Sequence, residues 1–176
     1  MSIGLTAVYR QRIEKEEERI GEPLDLAKEM LAVSPGLLTR YFVAAPLFAY
    51  QKHAPADAAH ITRIAALRAE DCGPCVDIGA AYGRVDGMDE SDLQAARRGR
   101  FDDLPHNLSL AAYFGDAIAR HLPEANELGE AVEREWGHAA RVELALAAAT
   151  ARIHPAMKRG LGMATTCAIA FGNGDD

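Results

Sequence analysis

The residues with the clearest capacity for chemistry are two cysteines in Glu70-Asp71-Cys72-Gly73-Pro74-Cys75. On a helix, positions i and i+3 share a face, so thiols at this spacing can join in a disulfide across one turn. Pro74 is tolerated there only if that turn opens a helix, where the N–H that proline lacks would be unpaired in any case. Cys72 is therefore expected at the N-cap or next to it. The partial positive charge of a helix N-terminus favours thiolate, while the acidic side chains of Glu70, Asp71 and Asp77 oppose it. Three readings fit the pair: a redox dithiol, an incidental pair, or half of a metal site. A zinc site needs two further ligands. Beyond the pair the chain offers only Cys167 and 6 scattered histidines, with no second Cys-x-x-Cys. The redox dithiol leads.

The elements that must position this pair are helical. The chain has 34 Ala and 17 Leu against 16 Val plus Ile and 6 Thr, a balance that favours helix over strand. No segment alternates apolar and polar residues on a β-branched face. Proline and glycine fall at helix-length intervals. The pattern predicts helices over about 5–20, to about 33 after Pro23, 37–51 with a kink or break at Pro46, and then from Pro55-Ala56-Asp57, with Asp57 as N-cap. Further helices are expected over 72–85, 90–98 capped by Asp89, 108–121, 124–136 and 138–153, with Pro155 opening the last. The fold class expected is all-α: a single-domain helical bundle over residues 1–176, with N-terminal helices over 1–33 and a frayed tail at 172–176.

Composition narrows the function classes. The 19 Lys plus Arg and 26 Asp plus Glu give a net charge of −7, which argues against nucleic acid or an anionic membrane surface as a partner. The basic trio Arg97, Arg98 and Arg100 sits at a helix C-terminus, where cations suit the dipole. No apolar run reaches a membrane span, and the early charges of the N-terminus do not suit a signal peptide. Three cysteines make no closed disulfide framework. A cytoplasmic address is expected. Cys167 reads as a small buried hydrophobe, and His53, His106, His121, His138 and His154 read as caps or surface residues.

Cys-Gly-Pro-Cys also occurs in thioredoxin, where it follows a β-strand. Here the preceding HITRIAALRAED is helical and Ala-rich, and the strands of that fold are missing. A long amphipathic helix, a Cys-x-x-Cys opening the next helix, a loop and an Ala-rich helical pair instead resemble the alkyl hydroperoxidase D-like family of the carboxymuconolactone decarboxylase superfamily. The resemblance begins at LLTRYFVAAPLF, passes Ile64-Ala65-Ala66-Leu67, Cys72-Gly73-Pro74-Cys75 and Asp86-Gly87-Met88, and ends in VELALAAATARIHPAMKRGLG, covering roughly residues 37–162.

That resemblance implies a thiol-dependent oxidoreductase, peroxide-reducing or disulfide-exchanging, without cofactor or metal. Cys72 would be the exposed attacking or resolving thiol and Cys75 the thiol activated by a proton relay, although the helix dipole would favour Cys72 as thiolate. An external dithiol would reduce the disulfide, and the substrate would be a small peroxide or disulfide. The family's relay Glu, twelve residues before the first Cys, falls on His60, and its relay His, four after the second, falls on Gly79. His60 could replace the base; Glu70 and Tyr82 are the other candidates. The family fold buries its reactive helix at subunit contacts, so a homo-oligomer is expected, with the Ala-dense 139–151 segment at contacts. Gly79 favours a rival reading, a non-catalytic helical oligomer or binding protein that has lost the relay. A cofactor-free lyase or isomerase on the same scaffold, with His60 and Glu70 lining a polar pocket, is the third.

Overall fold

The computed structural model describes residues 2–163; Cys167 and the tail lie outside them. These residues are all-helical, with no strand among them. Among them no helix is long and apolar enough to cross a membrane. The chain divides into two compact units, Met1–Tyr50 and Gln51–Asp176.

The first unit holds α1 (Ser2–Ile20), α2 (Asp25–Val33) and α3 (Pro35–Phe48). Ile13, Ile20, Leu26, Met30, Leu31 and Leu38 are its buried apolar residues. Ser34 caps α3 by accepting the Gly36 N–H at 3.2 Å, with Pro35 in the first turn. Of the kink or break expected at Pro46, the break is not there: α3 runs through it and ends at Phe48. The N–H that Pro46 lacks would have bonded the Phe42 carbonyl, so the last turn gives up one hydrogen bond without ending there.

The second unit holds α4 (Ala56–Ala69), α5 (Gly73–Val85), α6 (Glu90–Arg98), a 3-10 turn at Phe101–Asp103, α7 (His106–Arg120), α8 (Ala125–Trp136), α9 (His138–Ala151) and α10 (Ile153–Gly160). Helix α4 is central, with α5, α6, α7 and α9 packed on it. Its buried residues, among them Ala58, Ala59, Ile61, Ile64, Ala65 and Leu67, surround the axis, as a helix apolar on every side requires. Small residues let the backbones approach closely. A Cβ at Gly115 of α7 would lie 2.4 Å from the Thr62 carbonyl oxygen, and the Thr62 hydroxyl donates to the Ala111 carbonyl at 3.1 Å.

The start of α4 differs from expectation. Pro55, not Asp57, is its N-cap. Asp57 lies inside the first turn, where its Oδ1 accepts the Ala58 N–H at 2.7 Å and its charge suits the dipole. Just upstream, Glu143 of α9 reaches over from the core. Its Oε2 accepts three successive backbone N–H groups, from Lys52 at 3.0 Å, His53 at 2.8 Å and Ala54 at 2.8 Å. Burial pushes this carboxyl up, but the three N–H donors outweigh it and hold the group below its ordinary value.

Candidate functional site

The turn from α4 into α5 is short. Glu70 is the C-cap of α4, Asp71 adopts φ 53°, and Cys72 is the N-cap of α5. A left-handed residue reverses the chain at once, and Asp tolerates that conformation better than most side chains. Gly73 and Pro74 follow in the first turn, as the sequence requires. Cys75 then lies one turn from Cys72. The two are joined in a disulfide with Cα atoms 5.2 Å apart, inside the range that a disulfide spans.

Neither sulfur-bearing residue is exposed. Cys72 keeps 1 % of its surface and Cys75 4 %, and both belong to the core cluster that includes Ile64, Leu67 and Val76. The expectation that Cys72 is the exposed thiol is therefore overturned. The tight reversal folds the N-cap back onto α4, and a small apolar side chain there packs rather than projects.

Glu70 sits in an ion-pair cluster drawn from three other elements. Arg152, between α9 and α10, donates Nε–H to Oε1 at 2.5 Å. Arg159 of α10 donates Nη2–H to Oε2 and Nη1–H to the Glu70 carbonyl oxygen, the latter at 3.0 Å. Arg152 also reaches Nε2 of His121, the C-cap of α7, at 3.3 Å. The Glu70 side chain is only 10 % exposed. Burial pushes its carboxyl up, but hydrogen bonds from the two guanidiniums prevail and hold it below the usual range. With both oxygens engaged by arginines, Glu70 is an anchor rather than a proton acceptor.

His60 is at the other end of the hairpin. A Cβ placed on Gly79 would meet Leu67 and Ile64, whereas one on Gly83 would lie 3.8 Å from the His60 Cβ. So α5 runs back along α4, and His60 lies opposite Gly83. From Cys72 to Gly83 the helix rises about 16 Å. His60 Nε2 instead pairs with Asp86 Oδ2 at 2.8 Å, and it does not face the dithiol as expected. The reason is the turn: a reversal this short pairs residues at nearly equal distances on either side of it. Burial lowers the pKa of His60, the hydrogen bond to Asp86 opposes that, and the net shift is downward. A surface depression of about 320 Å³ opens beside His60, rimmed by Asp57, Asp86, Asp89 and Asp92. From Cys75 to Tyr82 the rise is about 10 Å.

Gly79, where the resemblance would place a relay His, is a packing glycine. The ideal Cβ there would lie 3.1 Å from Leu67 Cδ1 and 3.4 Å from Ile64 Cγ1, leaving no room for an imidazole without displacement. Among the described residues no group of three or more His, Cys, Asp or Glu side chains is arranged to hold a metal ion. Three residues of the site were not legible as such: Arg152 and Arg159 lie far from Glu70 in sequence, and His121 read as a simple cap. The alternation of Arg152 and Arg159 around Pro155 carries no local signal for a partner on α4. No family model matches this chain, and no curated protein or solved structure shows significant similarity to it.

Proposed function

We propose that the protein is a thiol-dependent oxidoreductase that works through the Cys72–Cys75 pair, on a scaffold akin to the alkyl hydroperoxidase D-like family. The observation that carries this reading is the disulfide at the N-terminus of α5, closed across a single turn. In the forward step an external dithiol gives up two electrons and two protons. The Cys72–Cys75 bond breaks, two thiols form, and the donor leaves as a disulfide. The reduced pair then passes the electrons to a small disulfide, or to a peroxide that leaves as alcohol and water.

Disulfide exchange is the better supported of the two outlets. Peroxide reduction needs an activated thiolate and a proton donor for the leaving oxygen. The groups expected to supply them are committed elsewhere: His60 to Asp86, Glu70 to two arginines, and position 79 is glycine. Both outlets draw their nucleophile from the reduced pair, whose thiolate the helix N-terminus favours; attack on a disulfide expels a thiolate, which needs no proton donor at the site as a leaving oxygen does.

The burial of both cysteines favours one rival, a structural staple in a non-catalytic helical protein. Its contribution would be small. A cross-link spanning a separation of three residues constrains the unfolded chain by only about 2 kcal/mol in the loop-entropy treatment. Turnover separates the readings. With dithiothreitol as reductant and bis(2-hydroxyethyl) disulfide or cumene hydroperoxide as substrate, the wild type is expected to turn over. Cys72→Ser and Cys75→Ser should fall to background. A wild type that turns over neither substrate leaves the staple.

The same proposal includes a homo-oligomer. Val142 and Leu146 are exposed on α9, with Ala139 and Ala149 on the same stripe. Light scattering at micromolar concentration should give a mass above the 19.0 kDa of one chain. A mass equal to one chain would remove this part of the reading.

A further inference from the structure

We propose that Arg152 and Arg159 are positioning residues that act through Glu70 to hold the dithiol turn closed, and that opening this clamp admits the external thiol. The inference rests on the oxidoreductase reading and deepens it. An attacking thiolate must reach a sulfur along the S–S axis, yet Cys72 and Cys75 are 1 % and 4 % exposed. The turn must therefore move before exchange. Two arginines hold it from outside. Glu70 stands two residues before Cys72. Its two carboxylate oxygens and its carbonyl oxygen all accept from Arg152 or Arg159.

The cluster is built to open on one side. Arg152 is the inner partner, with 30 % of its side chain exposed and a second contact to His121. Arg159 is the outer partner, 49 % exposed. It rides on α10, an eight-residue helix that packs mainly on α9. A short helix with few packing partners among the described residues belongs to the low end of the local stability range. Release of Arg159 frees both the Glu70 carbonyl and one carboxylate oxygen, and the left-handed Asp71 next to it loses its outer restraint.

The test is the second-order rate at which dithiothreitol reduces the Cys72–Cys75 disulfide, followed by thiol release. Arg159→Ala is expected to speed reduction about tenfold, and Arg159→Lys, which keeps a cation for Glu70, to stay within about threefold of wild type. Raising NaCl from low to molar concentration should speed the wild type and affect Arg159→Ala less, because only the more buried Arg152 pair is left to screen. Hydrogen exchange of core amides in α7 and α9 distinguishes local from general opening. Equal rates in wild type and Arg159→Ala would overturn the clamp, as would a speed-up matched by faster exchange throughout the core. Neither result touches the turnover assay, so the clamp and the oxidoreductase reading fail separately.

Discussion

The α4–α5 hairpin carries an acid–base cluster at each end, and the two ends are built differently. At the closed end Glu70 is 10 % exposed and held by two arginines next to a buried disulfide. At the open end His60 pairs with Asp86, whose side chain is 55 % exposed, beside an acidic surface depression. One cluster joins four elements across more than eighty residues of sequence; the other joins the start of α4 to the C-cap of α5. The closed end fixes geometry by committing every acceptor. The open end also buries its ring, 11 % exposed, but gives it one carboxylate partner that faces water, so the ring can still change charge with pH. Similar residue types therefore serve position at one end and response at the other.

The sharpest way to break this contrast is catalytic. His60→Asn should leave disulfide-exchange turnover within about twofold of wild type, because the helix rise keeps it roughly 16 Å from Cys72. A hundredfold loss would bring His60 back to the thiols and undo the assigned register.

A second comparison is one of stability. Glu70→Gln is expected to cost about 2–3 kcal/mol in urea unfolding, since it strands two guanidiniums around a partly buried amide. Asp86→Asn should cost under about 1 kcal/mol, as exposed pairs do. Equal losses would mean that the two ends are energetically alike.

The smallest effect is the pH dependence, and there the two ends should lose stability in separate windows. His60 has a folded pKa below its ordinary 6.5, so the unfolded chain takes up its proton first. Its contribution is complete above pH 6.5 and declines as pH falls from there towards the folded value. Glu70 also has a folded pKa below its ordinary 4.5. Its contribution is present above pH 4.5 and is lost as pH falls through the lower folded value. Unfolding midpoints between pH 7 and pH 5 should flatten in His60→Asn, while Glu70→Gln should alter the profile only below about pH 4.5. A single window for both would contradict the different roles.

What was legible in the sequence divides along similar lines. The helices and the cap at Asp89 were readable because their signals are local: proline and glycine at helix-length intervals, a side-chain oxygen two residues ahead of an amide. The Cys-Gly-Pro-Cys turn was readable for the same reason. The packing of the turn was not. Burial of Cys72 depends on α5 folding back over α4, and the spacing of the cysteines is silent about that. The position of His60 was inferred from a count of residues, whereas the length of the Glu70–Asp71 reversal sets the register. The arginines on Glu70 had no sequence signal at all, because the ion pair closes across 82 and 89 residues.

The carboxylate of Glu143 has a consequence for how the chain can be cut. Lys52 offers trypsin an exposed side chain in the short stretch between α3 and α4, at the boundary of the two compact units. Its backbone N–H, with those of His53 and Ala54, is tied to one buried oxygen. A protease must draw a segment into extended form to cut it, and here that means pulling three amides off a single charge at once. The boundary behaves as the first fixed point of the second unit, so a fragment of that unit that keeps its fold begins ahead of Lys52, not after it.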